Sequence, residues 1–284
     1  MDIDHHLPGH LEDRVRAETL PVCDVEGALH VGQPPVPFHH ESGVVFCKTS
    51  TNSRFSSLTR YYPFVQDSST SHLNLWKRQL GSVPDSVYEQ TDLETLVLAD
   101  NELSEVSDQI GRLKKLRMLD LGHNRLKQVP DSLAALDGLT DFLYLHDNQL
   151  TSLPSSLERL TKLRYLNISE NRFEEFPECV SAMSSLIELR VSGNYLTSLP
   201  ESIGRLWRLR ELHLRNNRLT SLPESIGKMT ELRQIDLRGN PLTHLPAAIA
   251  ALPRLEKLDL RWVATLIPPA WIANLEARGC AVYR

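Results

Sequence analysis

The sequence predicts an α/β solenoid. Short units stack into a horseshoe with a parallel concave sheet of about nine strands, and short helical, 3₁₀ or extended segments run along the convex side. Three observations carry this. Asparagine recurs at Asn101, Asn124, Asn148, Asn171, Asn194, Asn217 and Asn240, in steps of 23, 24, 23, 23, 23 and 23 residues. Each closes a phrase L-x-x-L-x-L-x-x-N, as in Leu209, Leu212, Leu214 and Asn217. Proline returns at one phase, at Pro84, Pro130, Pro154, Pro177, Pro200, Pro223 and Pro246. Self-similarity at a fixed period of this length marks a stacked repeat, in which each unit buries its apolar face against its neighbours.

Residues 1–70 stand outside the repeat. They are rich in histidine (His5, His6, His10, His30, His39, His40) and hold a proline cluster at Pro34, Pro35 and Pro37. Residues 1–53 read as a flexible segment, with a helix allowed from Leu11 to Leu20. Residues 54–72 carry Phe55, Leu58, Tyr61, Tyr62, Phe64 and Val65 and are expected to cover the open end of the stack. The repeats run over 73–262. They begin at Leu73 and Leu75 with Arg78 in the asparagine position. The third full unit has one extra residue between Leu139 and Leu143. A bulge or loosened turn that re-aims nearby side chains is expected there.

Within a unit, the fourth and sixth positions of the phrase lie two apart and so face one side of a short strand, the core. The asparagine turns the chain, and its amide can pair backbone groups of adjacent turns. Proline then suits the start of a short helical turn, where no N–H is needed. Ser107 replaces it in the first full unit. The last unit keeps Leu255, Leu258 and Leu260 but has Val263 for asparagine. Residues 263–284 read as a cap, with a short helix around Trp271 to Leu275, an end at Gly279 and a final strand within Cys280 to Tyr283.

Composition bounds the function. Net charge is −5, with 9 acids and 5 bases in residues 1–71 and near neutrality beyond, so no basic field points to nucleic acid. No apolar run approaches a membrane span. The start is polar and acidic, unlike a secretory signal. Cys23, Cys47, Cys179 and Cys280 form no C-x-x-C pair and read as free thiols in a reducing, cytoplasmic setting.

The variable third, fifth and seventh positions face the concave surface, with the eighth at its rim. Those in the early and middle units include Met118, Asp120, Phe142, Tyr144, His146, Tyr165 and Asn167. Large apolar groups on such a face point to an interface, or to mutual packing of Phe142 and Tyr165 across strands. The later units carry charge, including Glu188, Arg190, Glu211, His213, Arg215, Asp236, Arg238, Asp259 and Arg261. They read either as a lattice of weak surface pairs or as a flank that orients a partner. The candidate partner-binding set is Met118, Phe142, Tyr144, His146, Tyr165, Arg190, His213, Arg215, Asp236 and Arg238. Trp76 and Trp262, near the two ends, are expected to pack on the caps. His213 has acids on nearby strands, but an open sheet excludes no water, so no catalytic residue is assigned. The N-terminal histidines with Cys23 and Cys47 match no compact zinc spacing, and no cofactor or metal is assigned.

The unit from Leu199 to Ser221, L-P-E-S-I-G-x-L-x-x-L-x-x-L-x-L-x-x-N-x-L-T-S, resembles the intracellular class of leucine-rich repeats. It is similar to repeats of scribble-type and Ras-scaffold proteins, plant Ras-group-related repeat proteins, Roco proteins, and bacterial effector or kinase-linked repeat proteins. The tail from Leu258 to Tyr283 looks most like the bacterial endings, although those often carry Trp-Asn where this chain has Trp262-Val263. The resemblance covers about residues 71–284 and implies a non-enzymatic scaffold that binds another protein, in signalling or as a host-directed effector in the cytoplasm. A second reading is the substrate-recognition part of an effector enzyme such as a ubiquitin ligase. The matching positions are structural, so no catalytic residue carries over.

Overall fold

The computed structural model describes residues 71–284. The expected flexible segment and its helix, the histidine-rich stretch and all but the last residues of the N-terminal cover lie outside the described residues.

One parallel sheet runs in sequence order through ten strands. They are β1 (His72–Asn74), β2 (Thr95–Val97), β3 (Met118–Asp120), β4 (Phe142–Tyr144), β5 (Tyr165–Asn167), β6 (Glu188–Arg190), β7 (Glu211–His213), β8 (Gln234–Asp236), β9 (Lys257–Asp259) and β10 (Ala281–Tyr283). That is one more than the count of about nine. The tenth comes from the final segment, which pairs in parallel with β9. Each strand is only three residues long, because only the x-L-x core of the phrase is extended before the turn begins. The central residue of β2 to β8 is fully buried or nearly so, and its two neighbours are half-buried. The register aligns leucine with leucine, as in Leu119↔Leu143 and Leu143↔Leu166. Each fully buried leucine contributes about 1.5–3 kcal/mol, so the column forms a continuous core along the stack.

The outer side is built from single 3₁₀ turns such as Glu201–Arg205 and Glu224–Lys228. Pro200 is extended, and its carbonyl accepts the first turn bond from the Ile203 N–H at 3.1 Å. Where proline is missing, Ser107 substitutes chemically, its hydroxyl accepting from the Gln109 N–H at 3.2 Å. The Ile-Gly step inside these turns has a packing reason. A Cβ on Gly204 would come within 2.6 Å of the Ser225 carbonyl oxygen in the next turn. The outer turns stack too closely for any side chain at that point.

The asparagines are buried. The Asn171 amide nitrogen donates to the carbonyls of Ile168 and Ser169 in its own unit, at 3.2 and 3.1 Å, and to Leu145 in the preceding unit at 2.9 Å. Its oxygen accepts from the Leu150 N–H at 2.9 Å. Asn101 makes the same set, its oxygen accepting from the Arg78 N–H at 2.8 Å. The first unit, without its own asparagine, is thus pinned by the second. At the other end Val263 cannot reach back, and Thr265 donates its hydroxyl to the Leu242 carbonyl instead.

The residue before each ladder position is left-handed. Lys77, Asp100, His123, Asp147, Glu170, Asn216 and Trp262 have φ between 51° and 62°, and Gly193 and Gly239 occupy the same place. This conformation folds the chain so that the next side chain points inward. It costs non-glycine residues about 1–2 kcal/mol each.

The extra residue of the third unit does loosen a turn, at Thr140 and Asp141. Ahead of β4, the N–H groups of Asp141 and Phe142 share the Arg117 carbonyl. Behind it, Arg164 and Tyr165 bond separately to the carbonyls of Thr140 and Asp141. Elsewhere one carbonyl takes both bonds, as Arg164 does from Ile187 and Glu188. The side chains are not re-aimed, contrary to expectation. Phe142 and Tyr144 remain in register with Met118 and Asp120, because the slack is absorbed before the strand starts.

The C-terminal helix, Ile272–Ala277, buries Ile272 and Leu275. Gly279, at φ 91°, turns the chain into β10. Among the described residues no helix is long and apolar enough to cross a membrane.

Replacing Asn171 with alanine removes four hydrogen bonds and leaves the buried Leu150 N–H without its acceptor. We expect Asn171→Ala to lose about 1–3 kcal/mol of stability in urea unfolding. An unchanged midpoint would show that the ladder is not a stabilising element.

Candidate functional site

The concave face divides into an aromatic part and a charged part. The aromatic part stands on β4 and β5. The Phe142 and Tyr165 rings lie 5.5 Å apart, Tyr144 and Tyr165 5.0 Å, and Phe142 and Tyr144 6.0 Å in a stacked arrangement. These three side chains are half-buried against one another, so mutual packing and an accessible apolar patch coexist. Met118 is the strand partner of Phe142. Burial pushes the Tyr144 hydroxyl up to about 12 and raises Tyr165 as well. Both phenols are therefore neutral hydrogen-bonding groups on an apolar base.

Just past β4, His146 packs edge-on to His123, with ring centroids 4.7 Å apart, and borders Tyr144 at 6.0 Å. It fits because position 122 is glycine. A Cβ there would lie 2.3 Å from the imidazole. His146 Nδ1 is buried without a hydrogen-bond partner. Burial first, and then the nearby His123, push this imidazole down to about 4, against a smaller upward pull from Asp147. His123 Nδ1 lies 2.5 Å from the Asp147 carboxylate. At the same rim an open groove of about 450 Å³ is lined by Trp76, Asp100, Glu102, His123, Asn124, Arg125 and Asp147. The rim histidine and its acid were not in the candidate set, because their meeting across 24 residues depends on the left-handed turns.

The charged part begins at β6. Arg190 links the two parts. Its guanidinium lies 6.0 Å from the Tyr165 ring centre, and its Nε donates to Glu188 at 2.5 Å. His213 Nε2 lies 3.2 Å from Glu211 and 3.7 Å from Glu188. Hydrogen bonding from His213 holds the Glu211 carboxyl below its ordinary range. Asp236 and Arg238 form a two-pronged pair at 2.8 and 2.6 Å, and Arg261 does the same with Asp259 at 2.9 and 2.7 Å. These pairs join residues two apart in one unit, inside β6 for Glu188 and Arg190 and just past the strand end for Arg238 and Arg261. The cross-strand contact between Arg238 and Asp259 is longer, at 3.6 Å. Arg215 has no side-chain hydrogen bond or ion pair among the described residues.

The candidate residues thus fall into one continuous group, Met118, Phe142, Tyr144, His146, Tyr165 and Arg190, and a more dispersed one. His213 belongs to a carboxylate cluster with Glu188 and Glu211, and Asp236 and Arg238 are tied to each other. Trp262 is 70% exposed and does not pack into the C-terminal cap; Trp76 is 53% exposed, and the cover expected over it lies outside the described residues. Trp262 instead lies between Arg238 and Arg261, 5.8 Å from each. Cys179 and Cys280 are free and buried, and burial raises both thiols.

Family comparison agrees with this architecture. The model described as leucine-rich repeat region matches residues 85–191 and 197–277, and the model described as Leucine Rich Repeat matches residues 185–206. No curated protein matches. Among solved structures, the plant peptide hormone receptor RGFR1 in complex with RGF2 is 33% identical, with a TM-score of 0.57 over 64% of this chain and 30% of the receptor. An internalin from Listeria monocytogenes is 20% identical, with a TM-score of 0.60 over 71% of this chain and 57% of that one. A leucine-rich repeat protein of Leptospira interrogans is 30% identical, with a TM-score of 0.44 over 72% of this chain and 63% of that one. The chain spans less than two thirds of the length of each of these solved chains.

His146 makes the patch acid-sensitive. Its folded value, about 4, lies below the ordinary 6.5, so the unfolded chain binds the proton more readily. The stability that neutral His146 contributes is complete above about pH 6.5 and is lost as pH falls towards 4. We expect His146→Phe to lose about 2 kcal/mol less than wild type between pH 7 and pH 4.5 in urea unfolding. Parallel losses in the two proteins would exclude this role.

Proposed function

The chain belongs to the leucine-rich repeat family, and we propose that it is a binding module whose partner, another protein, docks on the concave sheet. The observation that carries this is the aromatic patch of Phe142, Tyr144 and Tyr165, bordered by Met118, His146 and Arg190. Aromatic side chains beside an arginine, on a rigid sheet and only half-covered, have the composition of an interface anchor. Arg215, unpaired among the described residues, is free to meet an acidic group. His213, Asp236 and Arg238 continue the surface as a polar flank that sets orientation more than affinity. Leucine-rich repeats are typically protein-interaction domains, and the similar plant receptor is known in complex with RGF2.

On this reading the chain acts by capture and not by turnover, in the cytoplasm or the cytoplasm of a host cell, as a signalling scaffold or host-directed effector. Residues 73–262 form the binding module and 263–284 close its far end.

The test is capture by a bait in which Tyr144 and Arg215 are both changed to alanine. We expect a prey held by wild type to be lost about tenfold or more, and to be retained by Lys228→Ala on the outer turns. Equal capture by wild type and the double variant would refute the assignment.

A further inference from the structure

The boundary between the aromatic and charged parts holds an arrangement that protein docking alone does not explain. Glu188 and Glu211 are direct neighbours in the register of β6 and β7, and Arg190 and His213 are the neighbours two residues on. Like charges directly opposite one another across a strand pair are destabilising. Both carboxylates are only partly exposed, at 13% and 35% of the side chain, so water screens their repulsion incompletely. The imidazole nitrogen of His213 is aimed at both, 3.7 Å from Glu188 Oε1 and 3.2 Å from Glu211 Oε2. All three donor atoms lie within 4.8 Å of one another.

We propose that Glu188, Glu211 and His213 form a site for one divalent transition cation of the zinc class. The donor set selects that class. One imidazole with two carboxylate oxygens suits zinc and its neighbours. Calcium would need six to eight oxygens, and magnesium a near-ideal octahedron. The spacing agrees as well. Bonds of about 2.0–2.2 Å to a tetrahedral ion place neighbouring ligand atoms about 3.3–3.6 Å apart, between the two distances measured to His213. The ligands stand on paired strands, which hold their backbones in place without a loop. The fourth position opens to the concave hollow, where water or a carboxylate from outside the chain can complete the shell.

Arg190 is the competing cation. Its Nε now sits on Glu188 Oε1, the oxygen nearest His213. Its side chain is 38% exposed, so it can swing away when an ion takes that oxygen. Lys257 also bears on Glu211, from β9. The site is therefore neutralised either by protein cations or by a bound ion, and the two states exclude each other at Glu188. This inference stands apart from the docking reading, since the ion needs no partner.

The test is calorimetric titration of the full chain with zinc chloride at neutral pH, with thermal unfolding measured at each zinc level. The histidines and cysteines of residues 1–70 can add equivalents of their own, so the comparison is between variants. We expect His213→Ala to lose one equivalent present in wild type, and Glu211→Gln to weaken that equivalent by about tenfold or more. Arg190→Gln should tighten it, because the competing guanidinium is gone. Zinc should raise the unfolding temperature of wild type and not that of His213→Ala. Identical stoichiometry and midpoint in wild type and His213→Ala would overturn the site. So would weaker binding by Arg190→Gln, which would make the arginine a support and not a competitor.

Discussion

The turns that follow β2 to β8 bury backbone groups that water cannot reach, and an asparagine side chain in each pairs them. The rest of the molecule follows from this constraint. One amide reaches carbonyls of its own unit and of the unit before it, while its oxygen holds an N–H of that same preceding unit. The side chain therefore joins two units at a fixed offset and sets the repeat length. It is preceded by a left-handed residue in every unit, and the same turn persists at Lys77 and Trp262, where no asparagine follows. Acids, a lysine, a histidine and even Trp262 accept this conformation. The pairing of buried backbone outweighs about 1–2 kcal/mol of local strain at each of these sites.

That division between frame and face explains how much could be read from the sequence. The strands, the outer turns and the core leucines were legible because the frame repeats each of them many times. Three features were not. The left-handed column was hidden because its residue types vary from glycine, asparagine and aspartate to lysine, glutamate and tryptophan, so no single signal repeats. The extra residue at Thr140 and Asp141 was visible, but its effect on Phe142 and Tyr144 was not, because strand pairing on both sides outweighs the slack. Trp262 was misjudged for a similar reason. Near the end of a solenoid an apolar side chain looks like cap material, yet Trp262 follows Arg261 on the concave rim and stacks with arginines.

The candidate site was legible as a set of positions but not as a set of contacts. Alternation along each strand assigned Phe142, Tyr144, Tyr165, Arg190 and His213 to one face. It could not say that Arg190 would reach both Tyr165 and Glu188, or that the two-pronged ion pairs would form within one unit. Positions two apart in extended chain lie on the same side, so an arginine at the end of a strand or just past it can fold back onto the acid before it. Asp236 with Arg238 and Asp259 with Arg261 are satisfied in this way within their own units. Such pairs cost little to build and leave little unmet charge to attract a partner.

The distribution of unmet need along the face is then uneven. Units from β8 onward neutralise themselves with two-pronged pairs. Units at β4 and β5 present half-covered rings and a histidine nitrogen without a partner. Between them, β6 and β7 set two carboxylates side by side with one arginine and one imidazole to balance them. A frame that fixes only leucine, asparagine and proline imposes none of these differences. They arise at positions the fold leaves free, so the repeat itself does not set the aromatic patch or the carboxylate pair. On the proposed reading, a partner held against the open sheet meets these differences at its middle, from Tyr144 to His213.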